Sequence, residues 1–131
     1  REDVQIALSV PADGVLVVGD RVRLQAAVTT LVSAVLREDT SGTVVVDCRR
    51  VIPGPGSALL LVVASEPLAA TVADAPHARL DEGRGGLGLA LPIARRVIER
   101  FGGAVWSPAA PQGTPERGAI LMRLPCRPGQ V

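Results

Sequence analysis

The stretch GRGGLGLALPIARRVIERFGG, residues 83–103, concentrates the residue types that could do chemistry. Glycines ahead of a helix leave free N–H groups and the positive end of the helix dipole, which together suit a phosphate-sized anion. Gly85, Gly86, Leu87 and Gly88 occupy that place. The same glycines also suit a helix entry packed tightly on a sheet, and the segment alone does not separate the two. Elsewhere reactive types are sparse. His77 is the only histidine, is followed by Ala78 and Arg79, and reads as a solvated loop residue. Cys48 and Cys126 show no metal-ligand spacing and imply no disulfide framework. The sequence assembles no Ser/His/Asp arrangement or metal cluster, so independent hydrolytic chemistry has no support.

The elements that must position the glycine segment follow from periodicity. Residues 4–10 alternate as a strand, and VLVV at 15–18 reads as a second short strand after the turn at Pro11–Gly14. Asp20 can cap a long helix in which Leu24, Val28, Leu31 and Val35 form one buried stripe. TVVVDCRRVI (43–52) and SALLLVVAS (57–65) are strands joined by PGPG, the second apolar enough for a central position. Residues 66–86 look irregular. A helix over about 88–101 turns Ala90, Ala94, Val97, Ile98 and Phe101 inward and tolerates Pro92 only in its first turn. Gly102 and Gly103 end it, and 104–107 and 118–125 close the chain as strands. This order predicts an α/β (α+β) two-layer sandwich: a mixed, mostly antiparallel sheet with helices packed on one face.

Composition bounds the function classes. The 131 residues suit one domain, and with 47% hydrophobic residues but only Phe101 and Trp106 aromatic, the core must be aliphatic. All 14 basic residues are arginine and the net charge is +1, which gives no field for nucleic acid or an anionic membrane surface. No stretch is apolar enough to span a bilayer and no signal peptide is visible. A cytoplasmic domain, residues 1–131, cut from a larger protein, is the expectation.

The order of elements, a polar stripe on the first helix, GGLGLALPIARRVIERFGG and a closing strand ending in LP resemble the ATP-binding domain of sensor histidine kinases. That domain belongs to the Bergerat-fold (GHKL) group. The likeness runs from about Val15 to Pro125. It implies ATP and Mg²⁺ as cofactors and three parts of a nucleotide site. The family's first helix carries two asparagines four residues apart, the second a Mg²⁺ ligand; Thr29 and Ser33 stand at those positions. Ser33 can reach the ion through a water, or both hydroxyls bond back to carbonyls of the preceding turn. The family's adenine-binding aspartate, in an Asp-x-Gly-x-Gly turn, is matched by Ser65, with Pro67 and Ala69 in place of the glycines. Shifting the register to Glu66 restores the charge but not the glycines. Arg84 takes the first position of the phosphate loop, where it either adds charge or blocks approach. Only residues 69–84 remain for the family's long mobile lid.

Two functions follow from the resemblance. A working module would deliver the γ-phosphate of Mg-ATP to a histidine on an upstream dimerisation domain. A degenerate module would keep the fold, bind ATP weakly or not at all, and act by docking. Its partners would be upstream phosphoacceptor helices, a response-regulator receiver domain or another kinase. The replaced adenine anchor favours the second, and His77 is not placed as a phosphoacceptor.

Overall fold

Leu31 and Val35 recur at helical spacing because they share one face of α1 (Arg21–Glu38), where Ala27 and Ala34 join them in full burial. Leu24 and Val28 pack against the same core from the margin of the stripe. The computed structural model describes residues 5–9, 21–39, 41–51, 58–82, 87–110, 113 and 117–125. The expected strand at 15–18 and the cap at Asp20 lie outside them.

The sheet contains β1 (Gln5–Ser9), β2 (Thr43–Val51), β3 (Ala58–Ser65), β4 (His77–Ala78), β5 (Ala104–Pro108) and β6 (Ala119–Pro125). Their spatial order is β1-β2-β3-β6-β5-β4. β1 runs parallel to β2 and every other pair is antiparallel, so the sheet is mixed and mostly antiparallel as expected. β3 is central, paired on both sides, and six of its eight residues are fully apolar and buried.

Strand alternation gives the sheet two apolar faces. Leu61, Val63, Ile120 and Met122 look toward α1 and toward α3 (Ala90–Arg100), which supplies Leu91, Ala94 and Ile98 to the same core. Leu60, Val62, Ala64, Trp106 and Leu121 look the other way. There the stretch that reads as irregular in sequence forms α2 (Glu66–Ala69), a 3₁₀ turn (Val72–Asp74) and β4. Leu68, Ala69 and Val72 lie over this second face, and Val72 is only 4% exposed. Burial of such side chains contributes about 1.5–3 kcal/mol each for the larger ones, so the short segment is part of the packing.

Gly102 and Gly103 end α3 for two separate reasons. Gly102 sits at φ +85, donating to the Glu99 carbonyl, while Gly103 donates to that of Ile98, the paired bonds of a Schellman motif. A Cβ on Gly103 would lie 2.2 Å from the Arg123 carbonyl oxygen, because the chain passes directly over β6 there.

Candidate functional site

Ser65 ends β3 and is 8% exposed. Its N–H donates to the Gly118 carbonyl at 2.7 Å, and its hydroxyl faces the carboxylate of Asp39 and helps to lower its pKa. Asp39 follows α1 immediately and is 1% exposed. Its Oδ1 also accepts from the Ser41 N–H at 3.1 Å and the Ser41 hydroxyl at 2.7 Å, and its Oδ2 from the Gly42 N–H at 2.9 Å. Burial raises the Asp39 pKa, but the hydroxyls of Ser41 and Ser65 and the two backbone N–H groups outweigh it and lower the value to about 2. The neighbouring Glu38, its side chain 5% exposed, accepts the Gly118 N–H at 2.8 Å and lies 3.9 Å from Arg117. A Cβ on Gly118, itself at φ +85, would come within 3.2 Å of the Ser65 hydroxyl. Ser65 is thus held inside a filled polar cluster joining the end of α1 to β2, β3 and β6. The sequence alone does not point to Asp39 or Glu38. The signal available was Asp39-Thr40-Ser41-Gly42, a pattern that favours an Asx turn.

The other predicted positions are less committed. Thr29 is exposed and Ser33 half-buried on α1. The back-bond expected of them is made instead by Thr30, whose hydroxyl donates to the Ala26 carbonyl at 3.0 Å. Arg84, Gly85 and Gly86 lie outside the described residues. Leu87 is half-buried against the main core, and Gly88 turns at φ +62, a conformation that favours glycine. The Ala90 N–H donates to the Leu87 carbonyl, the Ile93 N–H to that of Leu89, and Pro92 has no N–H. The first turn of α3 therefore offers an anion two donors fewer than a helix start normally presents, the Ala90 N–H being bonded and Pro92 having none.

The short segment standing where a lid is expected is fastened at several points. His77 pairs in β4 with Pro108 of β5, and its ring stacks on Trp106 at 4.1 Å between centroids and 20° between planes. The Arg123 guanidinium lies 5.8 Å from the centre of the same indole. Leu80 crosses to the helical side and is 6% exposed in the main core. Glu82 then receives a two-pronged ion pair from Arg95 of α3, Nε to Oε2 at 2.9 Å and Nη2 to Oε1 at 3.2 Å. His77 is exposed, but it lies in β4 rather than in the expected loop, and its ring has this specific contact.

A groove of about 900 Å³ opens along the seam of α1 and α3. It is bordered by Arg23, Ala26, Thr30, Ile93, Arg96 and Arg100, among others. None of the described predicted positions, Thr29, Ser33, Ser65, Leu87 and Gly88, lines it. Nothing in the sequence alone marks this surface.

No family model and no curated protein matches the chain. Solved structures do match. The mycobacterial sensor histidine kinase MprB is similar at 27% identity and TM-score 0.62, over 98% of this chain and 85% of that one. The ATP-binding domain of PrrB from Mycobacterium tuberculosis is similar at 18% identity and TM-score 0.56, over 97% of this chain and 83% of that one. Full-length ShkA, solved in complex with AMPPNP, is similar at 19% identity and TM-score 0.64, over 98% of this chain and 27% of that one. Strand order, the placement of α1 and α3 and these likenesses agree: the chain has the Bergerat-type fold of the ATP-binding domains of histidine kinases.

Proposed function

We propose that the domain serves a sensor histidine kinase or kinase-like signalling protein as a docking module, with ATP binding weak or absent. Ser65 carries this reading. At the position where the family resemblance puts an adenine-binding aspartate, the chain has a buried, uncharged hydroxyl that faces the Asp39 carboxylate. A charge-assisted hydrogen bond contributes about 1.5–3 kcal/mol, so its loss weakens nucleotide binding by about 10-fold to 150-fold. The Mg²⁺ that the resemblance implies has a poor donor set. Ser33 offers one neutral hydroxyl, and among the described residues no three His, Cys, Asp or Glu side chains gather to hold a metal. The residues of the short segment are spent on the sheet, on Trp106 and on Arg95. The partners this reading calls for are upstream dimerisation helices, a receiver domain or another kinase. No described helix is long and apolar enough to cross a membrane.

A second reading, a catalytic domain that binds Mg-ATP and phosphorylates an upstream histidine, draws on the glycine turn at Gly88 and on the likeness to MprB. Calorimetric titration of the native chain with Mg-ATP separates the two. The docking reading expects no saturation below about 1 mM, a binding free energy of about 4 kcal/mol. Saturable binding in the micromolar range would transfer the assignment to the catalytic reading.

A further inference from the structure

We infer that the groove between α1 and α3 seats an amphipathic helix of the partner, with an apolar stripe flanked by carboxylates. This rests on the docking reading and names the surface and chemistry that reading leaves open. Both banks of the groove repeat at i, i+3, i+4, i+7. Arg23, Ala26, Ala27 and Thr30 form one bank, and Ile93, Arg96, Val97 and Arg100 the other. Such ridges accept the side-chain rows of a third helix. The small residues Ala26, Ala27, Ala90 and Ala94 line the groove between them and leave room for anchoring side chains. From Ala90 to Phe101 the groove has a length of about 16 Å at 1.5 Å per residue, about three turns of a docked helix.

Two observations indicate the occupant's chemistry. Among the described residues the large exposed apolar side chains are Val22, Leu89 and Ile93, at 72%, 75% and 57% exposure. Ile93 lines the groove, and Val22 and Leu89 each adjoin a lining residue, so the exposed apolar surface gathers on this one side of the molecule. The charge at the border is lopsided. Among the described residues Arg96 and Arg100 line the groove with one carboxylate, Glu99, and Arg95 already holds that carboxylate at 3.2 Å. A lysine-flanked helix would meet like charge, whereas a glutamate-flanked helix would meet its complement. Rim charges of this kind choose the partner more than they add affinity.

The test uses two labelled synthetic helical peptides with the same leucine stripe, one flanked by glutamate and one by lysine, and reads fluorescence anisotropy with the native chain. The glutamate peptide is expected to bind roughly 10-fold more tightly, a preference that added salt reduces. Arg96→Glu with Arg100→Glu reverses the preference, and Ile93→Ser weakens both peptides; these side chains are exposed, and urea unfolding checks that the variants remain folded. Equal binding of the two peptides, no binding of the glutamate peptide, or binding indifferent to these substitutions overturns the inference. Self-association of the chain that Ile93→Ser abolishes would give the groove to a second copy and overturn it too. Mg-ATP titration of the same samples keeps the failures apart. Micromolar ATP binding with the expected peptide preference sinks the docking-only reading and supports the groove. Absent ATP binding with no peptide preference sinks the groove alone.

Discussion

Restoring the family's aspartate by Ser65→Asp is expected to damage this domain rather than repair it. The introduced carboxyl would face Asp39, which is 1% exposed and has its pKa lowered to about 2 in part by the hydroxyl being removed. Two unit charges about 4 Å apart at an effective dielectric of 20 repel by about 4 kcal/mol. Keeping one proton on the pair avoids the repulsion. Yet holding a proton at pH 7 on a group of ordinary pKa near 4 costs about 1.4 kcal/mol per pH unit, again about 4 kcal/mol. The two routes are alternatives, so the expected loss is about 4 kcal/mol, a large part of the 5–15 kcal/mol typical of a domain. Urea unfolding followed by the fluorescence of Trp106, the single tryptophan, measures it. The deficit should be largest at pH 7 and shrink by about 1.4 kcal/mol per unit as the pH falls toward 4, where the extra carboxyl takes up its proton without cost. The variant should gain no ATP affinity. A deficit under about 1 kcal/mol at pH 7, or one unchanged at pH 4.5, would refute the coupling between Ser65 and Asp39.

Three further outcomes are expected. Asp39→Asn removes a carboxylate whose folded pKa is about 2 against an ordinary 3.8, worth about 2 kcal/mol at pH 7. Because the folded value is depressed, the parent's advantage is complete above about pH 4 and disappears as the pH falls through about 2, which urea unfolding across that range reads. Gly103→Ala forces a methyl to within 2.2 Å of the Arg123 carbonyl oxygen and costs about 2 kcal/mol or more, seen as a lowered thermal midpoint. His77→Ala removes the ring stacked on Trp106, shifting its emission to the red and lowering stability by about 0.5–1.5 kcal/mol.

The main layers were legible in sequence wherever one periodicity ran long enough to be unambiguous. Leu31 and Val35 marked the inner face of α1, and the unbroken ALLLVVA marked β3 as central. Leu91 escaped because it lies between Ala90 and Pro92 near the entry of α3, where glycine and proline signals outweigh periodicity. Residues 66–78 escaped for another reason: helices of one turn and a two-residue strand have no period to detect and exist only through contacts with β3 and β5. At the site, the sequence displayed which ligand types had changed, but not what Ser65 had become. Its partner, Asp39, sits on a different element and reads locally as a turn residue. The groove was hidden likewise, since Arg23 and Arg96 acquire a joint meaning only when α1 and α3 lie side by side.

The packing of Val72 and Leu68 over the sheet face that carries Trp106 limits how this domain can change over time. A flap that opens and shuts must lose little when it lifts, but here lifting the strip between α2 and β4 would bare Leu60, Val62 and the indole to water. Lifting it therefore costs the burial of Val72 and of the sheet face beneath it. A descendant with a moving cover would need inserted residues, leaving the existing strip behind as permanent lining.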